Sequence, residues 1–218
     1  VERGLIITIV VIAAAIAIAY HLYASARRRK ELAAYARERG LAFRPDKDRG
    51  MKDRYISFKC LRLGHGRFAL NVMTGEMQSL PVEAFDYQYT TGSGKNRRVH
   101  RFSAMVVGSA IPLKPLLIRR ENAFDKVTEF FGVDDIDFES AEFSRKFFVK
   151  SPDRRWAFDV IHQRMMEYLL GAPEYSIQFD RENIIAWRRR RFNRAEFDEA
   201  FGLIKGILDR LPGYLLRP

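Results

Sequence analysis

Five carboxylates within nine residues, Asp134, Asp135, Asp137, Glu139 and Glu142, form the stretch best suited to chemistry. In an extended segment Asp135, Asp137 and Glu139 project to one face, near enough to share a divalent cation. Metal-dependent catalysis on a phosphate-bearing substrate is what such a set would support. The competing account pairs these carboxylates with Arg145, Lys146, Arg154 and Arg155, or uses them to cap the elements that follow. That account is preferred, because no histidine or second acidic cluster with ligand spacing accompanies them. No catalytic residue, metal ligand or cofactor is therefore assigned.

Other nucleophile and phosphate motifs are incomplete. The run Thr91-Gly92-Ser93-Gly94-Lys95-Asn96 contains the Gly-Lys pair of a phosphate loop, but that loop needs an earlier glycine where Tyr89 stands and a hydroxyl where Asn96 stands. His21, His65, His100 and His162 are scattered, and His162 beside an apolar stripe reads as a hydrogen-bonded structural residue. Cys60, the single cysteine, excludes an internal disulfide and has no adjacent base; it reads as a small buried hydrophobe. No Gly-x-Ser-x-Gly elbow is present.

Basic residues are the more telling chemistry. Arg188, Arg189, Arg190 and Arg191, with Arg194 beyond, are the densest charge in the chain. Lys95, Arg97 and Arg98, followed by Arg101, surround a hairpin tip. Both groups are candidate surfaces for anionic lipid or a membrane protein partner, since a base near an acidic leaflet contributes about 1 kcal/mol. Nucleic acid would feel the same field, but no nucleic-acid-binding motif is visible and that partner is not expected.

These residues follow Leu5 to Tyr23, an apolar run without an acid or permanent base. At about 1.5 Å per residue it spans roughly 28 Å, the hydrocarbon thickness of a bilayer. Apolar residues cover its whole circumference, unlike the stripe of a buried core helix. Ala24-Ser25-Ala26 has the form of a signal-peptide cleavage site, but Arg27, Arg28, Arg29 and Lys30 follow at once, as in a stop-transfer segment. A retained single-pass helix is expected, with the N-terminus outside, the basic quartet among cytoplasmic headgroups of an inner or plasma membrane, and the remainder cytoplasmic. The chain has 38 Lys+Arg against 27 Asp+Glu, a net charge of +11; residues 31–218 retain 33 bases against 26 acids, so the basicity belongs to the domain too.

The remaining pattern places the other elements. Ala26 to Arg39 favours helix up to Gly40, a stiff stalk. Strands are expected at Leu41–Phe43, Tyr55–Leu61, Arg67–Met73, Val82–Tyr89, Val99–Val107, Leu116–Arg119 and Lys146–Val149. Tyr175–Phe179 and Asn183–Trp187 read as a hairpin around Asp180-Arg181-Glu182. Helices are expected from Asn122 to Gly132, from a Ser151-Pro152 start to Gly171, and from Asn193 to Pro212. The segmentation is 1–25 membrane anchor, 26–40 juxtamembrane stalk and 41–218 soluble domain, of mostly antiparallel α+β class.

Asp135-Ile136-Asp137-Phe138-Glu139-Ser140, then Phe143-Ser144-Arg145-Lys146-Phe147-Phe148-Val149 and Asp153-Arg154-Arg155-Trp156-Ala157, resemble a bacterial family of membrane-tethered proteins of unknown function. The likeness runs from about Tyr55 onward and includes Leu80-Pro81 and the closing Leu211-Pro212. It implies architecture and tethering, and carries over no functional residue. A membrane-anchored binding or scaffolding module is the expected role, without catalysis.

Overall fold

The computed structural model describes residues 2–120 and 136–216. Helix α1 (Glu2–Glu38) is continuous from the apolar run into the domain. Its backbone donors and acceptors are satisfied internally, which is what a segment without water requires. Among the described residues it is the one helix long and apolar enough to cross a membrane, over Ile6–Glu38. Ile6 to Tyr23 expose their large apolar side chains, whereas Leu32, Tyr35 and Ala36 are buried in the domain core. The expected stalk is thus built into the domain.

The stop at Gly40 follows expectation and has a Schellman geometry. Gly40 adopts φ +69°, Leu41 N–H donates to Ala36 O at 2.8 Å, and Gly40 N–H donates to Arg37 O at 3.2 Å. Leu41 and Ala36 both join the core, closing the motif with an apolar contact.

Six strands form one antiparallel sheet: β1 (Ala42–Arg44), β2 (His65–Met77), β3 (Leu80–Thr91), β4 (Arg98–Arg120), β5 (Phe147–Lys150) and β6 (Ser176–Arg188). They run β1-β2-β3-β4, and β4 carries β6 along its other edge. Because Ser103–Val107 pair with β3 and β6 together, and Leu117 and Ile118 with β5 and β6 together, β3 and β5 lie end to end beside β4. This long strand passes through Pro112 and Pro115, which lack a donor. Both fall where the β4–β6 register shifts, between Gly108 and Leu116, so regular ladder bonds are not demanded of them.

Alternation divides the core in two. Ala84, Met105, Val107, Ile184 and Ala186 face α1, α4 (Arg154–Val160), α5 (Gln163–Gly171) and α6 (Arg194–Leu208). Phe85, Tyr87, Ala104, Val106, Ile185 and Trp187 face the segment holding α2 (Met51–Arg54) and a 3₁₀ turn, Lys59–Arg62. Both faces are covered, so the strands are rich in apolar residues at successive positions.

Four expectations differ, the first being that Val99–Val107 and Leu116–Arg119 are parts of the single strand β4. Tyr55–Leu61 is no strand: Cys60 and Leu61 are both buried, which breaks the period of two, and the segment crosses the sheet face. Side chains from the sheet supply its backbone partners, with Gln178 Nε2 donating to Ser57 O at 2.8 Å and Tyr87 Oη donating to Leu61 O at 2.6 Å. The expected hairpin at 175–187 is the single strand β6, in which Arg181 at φ +53° follows the irregularity of β4. The helix expected from Ser151 to Gly171 is two, broken at Ile161-His162, and Asp153 is the cap of the first, accepting from Trp156 N–H at 3.0 Å. Ser151 instead donates to Pro115 O at 2.7 Å. A short helix α3 (Ala141–Lys146) also precedes β5, capped by Ser140. The helix expected from Asn122 lies outside the described residues.

Candidate functional site

On the sheet face that meets α1, the strand alternation places Ala84, Asp86 and Gln88, with the aromatics of β3 on the other side. Asp86 is a buried charge on this face: its side chain is 2 % exposed. A carboxylate so placed must be paired and hydrogen-bonded. Arg28 donates to it twice, Nε to Oδ2 at 3.1 Å and Nη2 to Oδ1 at 2.9 Å. Asn71 Nδ2 donates to Oδ2 at 3.1 Å and Ser103 Oγ to Oδ1 at 2.5 Å. Arg191 Nε lies 3.9 Å from Oδ2. Ser103 Oγ also accepts from Phe192 N–H at 3.0 Å, which ties the end of the β6–α6 connection to the same centre.

Arg28 therefore departs from its expected place among headgroups. The fork geometry of its guanidinium matches the carboxylate, and burial of Asp86 makes that pairing stronger than solvation at a surface. Arg27, Arg29 and Lys30 are exposed. Burial pulls the Arg191 guanidinium below the ordinary arginine range; Asp86 opposes this, while Arg101 and Arg28 add to it.

The Arg188–Arg191 run is divided by the fold. Arg188 Nη1 donates to Glu196 Oε1 at 2.6 Å and its guanidinium sits 3.8 Å over the Tyr175 ring. Arg190 donates to both Glu196 oxygens. Its hydrogen bond is the main reason that the Glu196 carboxyl is held down at about 2, against the opposing effect of burial. Two of the four arginines thus brace the start of α6, and Arg191 turns toward Asp86. Arg189 is exposed and lines a cavity of about 440 Å³ together with Arg101, Tyr89, His100 and Trp187. Lys95, Arg97 and Arg98 are all exposed at the β3–β4 tip, where Gly94–Asn96 makes a 3₁₀ turn.

The described part of the acidic stretch, Asp137, Glu139 and Glu142, takes no part in this region. Asp134 and Asp135 lie outside the described residues. Asp137 and Glu139 are exposed on either side of buried Phe138, and Glu142 pairs with Lys146 at 2.7 Å. Among the described residues no three His, Cys, Asp or Glu side chains come together as a metal site. His162 Nε2 donates to Arg210 O at 2.9 Å, in the structural role expected. Cys60 is buried.

Direction along α1 completes the geometry. Leu41 packs over Gly75, which pairs with Val82, whereas Arg28 reaches Asp86. Moving back along α1 toward its apolar run therefore follows β3 from Val82 past Asp86 toward the hairpin tip. Further contacts fix this mount: Tyr35 Oη donates to Asp198 Oδ1 at 2.9 Å, Arg39 Nη2 donates to Asp198 Oδ2 at 2.6 Å, and Arg194 pairs with Glu38.

Asp86, Asn71 and Ser103 are absent from the candidates that the sequence suggests. A signal exists for Asp86 alone, the acid of α1-facing parity in β3, where Glu83 has the opposite parity; nothing local marks its partners.

No family model matches the chain, and no curated protein matches it. Among solved structures it is similar in fold to the crystal structure of the mycobacterial trehalose monomycolate transport factor A, with a TM-score of 0.58, 14 % identity, and coverage of 87 % of this chain and 94 % of that one.

Proposed function

We propose that this protein is a membrane-anchored, non-catalytic binding or scaffolding module that holds its α+β domain in a set orientation against the cytoplasmic leaflet and presents it to a membrane protein partner. The observation that carries this reading is the unbroken α1, whose apolar half is exposed while Arg28, Leu32, Tyr35 and Ala36 are locked into the domain. A flexible tether would only raise local concentration; a rigid helix also sets which face meets the bilayer. The exposed Arg27, Arg29 and Lys30 beside the apolar run support a cytoplasmic placement of the domain. The fold likeness to a trehalose monomycolate transport factor supports an accessory role in transport, and membership of the tethered bacterial family belongs to the same proposal.

The test is photo-crosslinking of the full chain in its native membrane from a probe at Arg98, compared with Arg28→Glu, which would free α1 from Asp86. A protein adduct of one defined mass, lost in the variant while membrane association persists, is expected. An adduct indifferent to the variant, or none, would count against an oriented scaffold.

A further inference from the structure

We infer that the end of the domain nearest the apolar run carries a binding cavity for the phosphate headgroup of an anionic phospholipid. The cavity is about 590 Å³ and lies over the β2–β3 ladder, lined by Lys47, Arg49, Lys52, Arg67 and Arg97, with Gln88 and Thr90 among the strand residues of its wall. None of its lining residues is a carboxylate. Phe68 pairs with Gln88, which shares the face of Asp86, so this part of the wall lies on the sheet face that α1 covers. Lys47 Nζ rests 5.0 Å over the Phe68 ring, which holds one cation at the wall without neutralising it. Among the described residues, Lys52 is the lining cation with a close acid, Asp53 at 2.6 Å.

Position selects the ligand's source. This inference rests on α1 crossing the bilayer, as proposed above. Arg28 lies five residues past Tyr23, about 7.5 Å of helix. Gln88 and Thr90 lie two and four residues past Asp86 toward the same side, about 7 to 13 Å of strand. The Gln88 offset matches that of the helix and the Thr90 offset exceeds it by about 5 Å, which puts the cavity near the level at which α1 meets the headgroups. Residues 24–30 and 91–101 contain no acid, whereas the loop that supplies Lys47, Arg49 and Lys52 also carries Asp46, Asp48 and Asp53, of which Asp48 is held by Arg54. A phosphodiester offered there meets several guanidinium and ammonium donors at a low-dielectric boundary, and its acyl chains stay in the leaflet that α1 has just left. A free phosphate shares the donor chemistry but has no reason to be found at this end.

The experiment reconstitutes the full chain into nanodiscs of equal phosphatidylglycerol and phosphatidylcholine, extracts it gently and counts retained lipid by native mass spectrometry. Selective retention of phosphatidylglycerol is expected. Arg49→Glu/Arg97→Glu should weaken it roughly thirtyfold, equivalent to about 2 kcal/mol. The charge-matched Arg37→Glu/Arg164→Glu, at exposed bases away from the cavity, should retain it. Equal loss in both variants, or no preference in the wild-type chain, would overturn the site while leaving the anchor standing. Displacement of the lipid by millimolar inorganic phosphate would overturn a lipid source. Failure of the wild-type chain to enter nanodiscs at all would overturn the anchored reading together with this one. Thermal unfolding of each variant is followed so that a drop in retention with an unchanged transition counts as loss of the site.

Discussion

Arg28 and Asp86, 58 residues apart in the chain, are joined by a two-pronged ion pair in which the carboxylate is buried and the guanidinium belongs to the helix that leaves the domain. Asp86 thereby serves as the fixed point between the membrane segment and the sheet. Asp86→Asn keeps the shape but leaves Arg28 and Arg191 facing a neutral amide. The expected cost is about 3–5 kcal/mol, read from denaturant unfolding of the full chain in detergent. Arg28→Met should cost less, because Asn71, Ser103 and Arg191 remain around the carboxylate.

Glu196 makes stability depend on acid pH. Its carboxyl is lowered from 4.5 to about 2 in the folded chain, chiefly by Arg190. A depressed carboxyl contributes stability that is complete above its unfolded value and is lost as pH falls through the folded value. Unfolding midpoints should therefore decline between about pH 4.5 and 2, and Glu196→Gln should flatten that part of the profile while lowering stability at pH 7.

The same residue closes a capping box. Asn193 Oδ1 accepts from Glu196 N–H at 2.9 Å, and Glu196 Oε2 accepts from Asn193 N–H at 2.8 Å. Asn193→Ala should cost about 1 kcal/mol, measured by thermal unfolding. Asn193→Ser should recover most of it.

Two glycines should respond in opposite directions. Gly64 has φ +59°, and a Cβ there would stand 2.1 Å from Thr90 O, a backbone atom that cannot yield. Gly64→Ala should destabilise by about 2–4 kcal/mol through strain and displacement of the 3₁₀ segment from β3. Gly202 lies inside α6, and a methyl added there would meet nothing within 4 Å, so Gly202→Ala should stabilise by up to about 1 kcal/mol. Chemical denaturation of the two variants side by side decides both.

Local chemistry announces much of this architecture. The apolar circumference of Ile6–Tyr23, the stop at Gly40, the Asn193–Glu196 cap and the alternation of β3 each depend on neighbours within a few residues, where propensity and periodicity act directly. Expectation and structure part where distant atoms replace local partners. Tyr55–Leu61 alternates like a strand, but Gln178 and Tyr87 supply its hydrogen bonds from the sheet. Asp180-Arg181-Glu182 has turn composition, yet β4 bends with it and keeps the strand paired.

The site divides in the same way. Composition and the order of the chain determined that an apolar helix precedes a basic α+β domain, because charge and hydropathy are properties of residues. Only the tertiary structure decided which carboxylate holds which base. Arg28, Arg188 and Arg190 look in sequence like the arginines beside them, but Asp86 on β3 holds Arg28, and Glu196 on α6 holds Arg188 and the still exposed Arg190. For Arg28 and Asp86, 58 residues apart, pairing of the buried carboxylate is a matter of distance in space, and sequence spacing carries no trace of it.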